Sequence, residues 1–312
     1  MSKKFGQDLI RRYENNPIIT REHIPFPCNS VFNAAAARLG DETILLLRVE
    51  DLSGRSVFAL ARSKDGRNFD VDAEPAMVPS VDGDFGIYER KGIEDPRITQ
   101  IDGVYYIMYT AASGYGPRLA LAKTTDFAKF ERIALVSEPD NKDGTLFPRK
   151  IGGHYARLDR PMVGDMGNIW ISYSDDLIHW GGAKVVLPVC ADCWDSWRVG
   201  ASAQPIETKY GWLEIYHGVR ATSHGPVYRL GAAMLDIDDP SEVLCRSSIP
   251  ILAPQEYYER VGDVPNVVFS TGALMEDNEQ ITIYYGAADT CICVGTAQLG
   301  DLMQFCAIDK HM

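Results

Sequence analysis

The chain has 312 residues, 46% of them hydrophobic, enough for a sizeable globular core in one or two domains. A net charge of −12 argues against a nucleic-acid or anionic-membrane partner, so any local basic cluster would need a reason. No apolar run reaches the roughly 18 residues of a membrane span, and the charged opening MSKKFGQDLIRRYENN lacks the apolar stretch of a signal peptide, which sets cytoplasmic residence as the expectation.

In chain order, residues 5–14 (FGQDLIRRYE) suggest a short helix and the following NPIIT a strand. A cassette then recurs five times: a Gly or Asp turn, a β-rich run, a loop, a second β-rich run, and an Asp-containing turn before an apolar residue. The first turns are Gly40-Asp41, Asp102-Gly103, Gly152-Gly153, Tyr210-Gly211 and Asp277-Asn278, followed by TILLLRV, VYYIMYT, HYARLDR, WLEIYHG and ITIYYGAAD. The second anchors are RSKDGRNF, KTTDFAKF, SYSDDLIHW, LDIDDPSEV and AQLGDLMQF. Before each first turn an innermost strand is expected: VFNAAAARL, EDPRITQI, LFPRKI, VGASAQPIE and NVVFSTGALM. A period of roughly 50 to 65 residues matches a multi-strand sheet repeated radially. The reading is an all-β, five-bladed β-propeller forming a single domain over residues 1–312, in preference to a β-sandwich. The last repeat lacks an outer strand, so the N-terminal segment 1–30 is expected to close the ring by supplying one.

Seven cysteines, an odd number, fit reduced thiols better than a disulfide framework. Cys190 and Cys193 form a CxxC, but no second CxxC or nearby His pair completes a tetrahedral set, so no metal is expected. Cys291 and Cys293 alternate along a strand-like run as small buried hydrophobes do.

Unusual polar residues stand at corresponding strand ends: Asn33, Arg48, Asp95, Arg160, His217 and Asp289. Singly, Arg48 could snorkel from a strand end and His217 could be a satisfied core histidine. Their shared register in radially repeated sheets instead points them into one central mouth. Asp95 in GIEDPRIT precedes Pro96, which biases it toward an extended conformation and aims it, unless it merely caps the strand in an Asx turn. Glu94, its neighbour, would then face the opposite side.

GIEDPRIT, LFPRKIGG, GWLEIYHGV, VPNVVF and IYYGAADT, in that order, resemble glycoside hydrolase family 130, β-mannoside phosphorylases and related β-mannosidases on a five-bladed propeller, from about Tyr13 to Gln298. The resemblance implies an inverting reaction with Asp95 as proton donor, the proton passing through a hydroxyl of the bound mannose. It implies that Asn33, Arg48 and Asp289 hold the mannosyl unit and that Tyr228 and Phe269 line the sugar sites. Arg160, Arg198, His217 and Lys142 match the phosphate pocket. This chain carries Lys142-Asp143 where some relatives have Arg-Asn, Arg198 where they have Lys, and Glu94 where they have an aromatic.

An inverting glycosidase uses an acid and a base, but phosphate is already an anionic nucleophile and needs only a basic pocket opposite the leaving group. The acid must carry its proton near neutral pH, which burial would favour and Arg97 oppose. The expected partners are a β-mannoside oligosaccharide and inorganic phosphate as co-substrate, with no other cofactor; a homo-oligomer could complete the mouth. The linkage, β-1,4 or β-1,2, is open at this point. So are two rivals: a β-mannoside hydrolase, which Glu94 and Asp143 keep in play, and a non-catalytic carbohydrate-binding propeller. A furanosidase of another five-bladed family also shares this pattern, but the whole-chain resemblance weighs against it.

Overall fold

The computed structural model describes residues 8–308, and it is all-β apart from three short α-helices and one 3-10 turn. Successive strands pair antiparallel in the order they leave the chain. The first meander is Cys28–Leu39, Glu42–Asp51 and Ser56–Ser63, edged by Asp70–Val71. Gly92–Ile101, Val104–Ala112, Arg118–Thr124 and Glu131–Leu135 follow. Next come Asn141–Leu146, Tyr155–Val163, Ile169–Ser174 and Gly181–Leu187. The short Arg198–Ala201 and Ile206–Thr208 pair with the long hairpin Gly211–Thr222 and Gly225–Leu235, edged by Val243–Arg246. The last meander is Val268–Met275, Gln280–Ala287 and Cys291–Gln298.

Hydrogen bonding joins these meanders into three sheets rather than five. The parallel bridge Ser56↔Gly92 links the first two meanders, and Gly167↔Arg198 links the next two. The fifth stands alone with two N-terminal strands on its outer edge: Arg11–Arg12 pairs with Thr296 and Gly295, and Ile19–Thr20 with Ile292 and Cys291. Arg12 fastens this segment through an ion pair to buried Glu259 at 2.8 Å.

The sequence explains why the strands pack on both faces. In the Cys28–Leu39 strand, Ala34 and Ala36 join one apolar cluster while Ala35 and Ala37 join another, and the facing leucines and Ile44 divide in the same alternation. Small residues permit close sheet-to-sheet approach: a Cβ on Gly272 would overlap the Ala34 carbonyl. The Asp anchors work as hairpin turns. Asp65 accepts the N–H groups of Arg67 and Asn68 at 2.8 Å each, and Asp176 those of Ile178 and His179 at 2.8 Å each.

Four expectations are corrected. The described part of residues 5–14 is not helical; Arg11–Arg12 is a strand because the outer edge of the last sheet offers it partners, and residues 5–7 lie outside the described residues. The strand expected at LFPRKI is instead Asn141–Leu146 and shares only Leu146 with it, since Pro148 has no N–H to continue the ladder. The fifth anchor lies in the helix Leu299–Ile308. Cys190 and Cys193 form a disulfide, because the turn between them sets their Cα atoms 5.4 Å apart. Among the described residues no helix is long and apolar enough to cross a membrane.

Candidate active site

A cavity of about 520 Å³ gathers all ten residues singled out above: Asn33, Arg48, Asp95, Lys142, Arg160, Arg198, His217, Tyr228, Phe269 and Asp289. Asp140, Asp143 and Asp165 line it too. Residues far apart in sequence converge here because the start of each meander's first strand and the end of the next lie at one end of the meander.

Local backbone geometry aims the side chains. Asn33 (φ 50°), Asp95 (φ 51°) and Asp143 (φ 56°) each sit where an innermost strand loses register with its partner, between Phe32 and Ala34, Glu94 and Arg97, and Lys142 and Thr145. Asp289 (φ 55°) follows the Gln280–Ala287 strand. Non-glycine residues seldom hold positive φ, and bulges that re-aim a side chain cluster at functional sites. Pro96 does disfavour a right-handed helical Asp95, but the bulge places that residue in the left-handed region rather than the extended one expected. In consequence Glu94 and Asp95 face the same way, and Arg48 bridges them, with Nη1 at 2.9 Å from Asp95 Oδ1 and Nη2 at 3.2 Å from Glu94 Oε1.

Asp95 is buried at 7% exposure. Its Oδ1 also accepts from Asn33 Nδ2 at 2.8 Å, and its carbonyl from Arg97 Nη1 at 3.0 Å. Burial pushes the Asp95 carboxyl up, but Arg48, Arg97 and Lys142 outweigh it and hold the group below the usual carboxylate range. In the free site Asp95 is therefore a carboxylate, against the need for a protonated acid. Asp289 behaves oppositely: burial, with Asp95 and Asp263 adding, pushes it up to about 6 despite Arg48.

The same cavity carries the basic groups, and they are not bare. Lys142 Nζ donates to Glu94 Oε2 at 3.0 Å, which with Asp95 keeps the ammonium charged in spite of burial. Arg160 Nε and His217 Nε2 lie 3.0 and 3.4 Å from Asp143 Oδ2, and Arg198 Nε donates to the Asp165 carbonyl at 3.0 Å while its guanidinium lies over Trp197. Burial pushes the His217 imidazole below its ordinary value, with Asp143 opposing. His217 packs on Phe269 with ring centroids 4.5 Å apart, and Tyr228 stacks at 6.2 Å. Arg97, 1% exposed, lies beneath: it donates to Asp143 Oδ1 and to the carbonyls of Ala201 and Ser202, all at 3.0 Å.

The sequence points to Asp143 only as a possible base for water and to Arg97 only as a cation near Asp95; the direct Arg97–Asp143 pair and the Arg160–Asp143 pair emerge in the structure. The available signal was KDG at 142–144, an Asp-Gly pair inside a strand, which marks a bulge. Among the described residues one other group could in principle hold a metal. Cys190, Cys193 and Asp195 cluster within 4.8 Å, but the disulfide uses both sulfurs and Arg246 engages Asp195 at 2.5 Å.

A family model described as beta-1,4-mannooligosaccharide phosphorylase matches residues 2–308. A 1,2-beta-oligomannan phosphorylase of Thermoanaerobacter sp. is 41% identical, covering 94% of this chain and 98% of its own length. A beta-1,4-mannooligosaccharide phosphorylase of Ruminococcus albus is 35% identical, over 96% and 91% respectively. Among solved structures, the beta-1,2-mannobiose phosphorylase of Listeria innocua, in complex with beta-1,2-mannobiose, superposes with a TM-score of 0.87 at 33% identity, covering 96% of this chain and 99% of that one.

Proposed function

The chain belongs to glycoside hydrolase family 130, and from that premise we propose that this enzyme is an inverting β-mannoside phosphorylase built on a five-bladed propeller closed by its N-terminal segment. Its substrate is a manno-oligosaccharide with a β-1,2 or β-1,4 bond, and its product α-mannose 1-phosphate. The observation that carries the reading is one cavity lined both by buried Asp95 and by Lys142, Arg160, Arg198 and His217.

In this reading Asn33, Arg48, Asp289, Tyr228 and Phe269 hold the mannosyl unit. Phosphate sits against the basic wall, where guanidinium forks suit its oxygens. A phosphate oxygen bonds to the anomeric carbon as the bond to the leaving oxygen breaks, and Asp95 supplies the proton that the leaving oxygen takes. Attack from the opposite face turns β into α. The carboxylate state of free Asp95 sets a condition on the order of events. A phosphate dianion beside Lys142 offsets the cations that depress Asp95, and a bound sugar removes its water, so both substrates raise its proton affinity.

Two features weigh against hydrolysis. Burial would raise Asp143, but Arg160, His217 and Arg97 hold it well below the usual range, which makes it a poor base for water. Glu94 is tied to Arg48 and Lys142. Phosphate requires no base. The test is synthesis in reverse: α-mannose 1-phosphate plus mannose should give a β-mannobiose and release phosphate, and failure of that coupling with active enzyme would overturn the reading.

A further inference from the structure

Asp143 places an ionised oxygen inside the wall assigned above to an anion. Its Oδ1 is engaged by Arg97 Nη2, whereas Oδ2, buried 3.0 Å from Arg160 Nε and 3.4 Å from His217 Nε2, has no aligned hydrogen bond. Arg160 Nε is likewise buried without one. The arrangement is built rather than incidental. Asp143 occupies a bulge at positive φ, and Gly200 leaves the room, because a Cβ there would overlap Asp143 Oδ2 and the His217 ring.

An acceptor with a free lone pair is an odd neighbour for an anion. A fully deprotonated oxyanion would set oxygen against carboxylate with no proton between them. An oxyanion that retains an O–H can donate it to Oδ2 and offer its remaining oxygens to Lys142, Arg160 and Arg198. Phosphate and arsenate keep a proton near neutral pH; sulfate, of the same shape and charge class, keeps none. A site built to accept a ligand hydroxyl rejects the analogue lacking it far more strongly than a change of size could.

Resting on the phosphorylase reading, we propose that Asp143 is a specificity-determining residue that restricts the anion pocket to protonated tetrahedral oxyanions, admitting phosphate and arsenate and excluding sulfate. The Asp143 side chain accepts the anion's hydroxyl while the basic residues bind its bare oxygens, one of which is left to attack.

The test uses the full chain, a β-mannobiose and anions at constant ionic strength. With wild-type enzyme, arsenate should replace phosphate and release free mannose. Sulfate should inhibit only at concentrations about 100-fold or more above the phosphate KM. In Asp143→Asn, whose amide can donate to an unprotonated oxygen, the ratio of sulfate inhibition constant to phosphate KM should fall by about tenfold or more. A wild-type sulfate constant close to the phosphate KM overturns the proposal even if the variant fails to fold, and so does an unchanged ratio in a folded variant. Absence of turnover with both phosphate and arsenate, beside rapid hydrolysis, instead removes the phosphorylase reading and this proposal with it.

Discussion

Replacing Asp95 by Asn separates the proton donation proposed for it from its structural contacts. The amide oxygen can still accept from Asn33 Nδ2 and Arg48 Nη1, which reach Asp95 Oδ1 at 2.8 and 2.9 Å. What is lost is one negative charge facing Arg48, Arg97 and Lys142. Breaking a buried ion pair outright typically costs about 3–5 kcal/mol. Here Glu94 remains paired with both Arg48 and Lys142, so the expected destabilisation is smaller, about 1–2 kcal/mol. For a chain of this size that lowers Tm by only a few degrees, about 2–6 °C. The catalytic loss should be far larger: roughly 10²–10⁴-fold in kcat on an unactivated mannobiose, about 3–5 kcal/mol of barrier. An aryl mannoside whose leaving group needs little protonation should lose about tenfold or less. Initial rates on both substrates, with thermal unfolding of both proteins, make the comparison. A folded variant turning over the disaccharide at a near-normal rate removes Asp95 from the chemistry, and equal losses on both substrates make it a structural group.

Arg160→Ala should raise the phosphate KM by about 10²-fold or more while changing mannoside binding less, because it strips a charge from the anion wall and leaves Asp143 buried with one partner fewer; equal losses toward both substrates in initial-rate kinetics would assign Arg160 to scaffolding. Gly200→Ala should abolish activity in a protein that still purifies, since the added methyl overlaps both Asp143 and His217; full activity would contradict the packing. The pH dependence has a defined sign. Asp289, raised to about 6, is neutral below that value and ionised above it, so sugar binding that relies on its carboxylate should strengthen as pH rises through about 6. Asp289→Asn should flatten that limb of kcat/KM for the mannoside, and an unchanged limb would assign it to another group.

Much of this site could be read from the chain because the same physical device repeats. A strand that is apolar on both faces and then ends in Asn, Arg, Asp or His has no reason to do so unless something polar waits at its end. Repetition brought Asn33, Arg48, Asp95, Arg160, His217 and Asp289 to one cavity. What escaped was set by backbone geometry rather than residue pattern. Glu94 was read as facing away from Asp95 on strand alternation, which fails across a bulge. Asp143 is legible in the sequence only as a possible base of a hydrolase; its place against Arg160 and His217 comes from a left-handed φ and from the space above Gly200. The sequence points to a basic pocket but not to its ion pairs: burial demands counter-ions, and Glu94 and Asp143 supply them. The N-terminal strand expected at NPIIT does form, Ile19–Thr20 pairing on the outer edge of the last sheet, while Arg11–Arg12 escapes a local reading because its strand depends on pairing with Cys291–Gln298 far along the chain.

Phosphorus and proton NMR of the products formed from β-1,2- and β-1,4-mannobiose, with and without inorganic phosphate, test the central claim most directly. The account predicts α-mannose 1-phosphate from at least one of the two disaccharides, in step with loss of phosphate, and negligible cleavage when phosphate is withheld. Free mannose at an undiminished rate in phosphate-free buffer would contradict it.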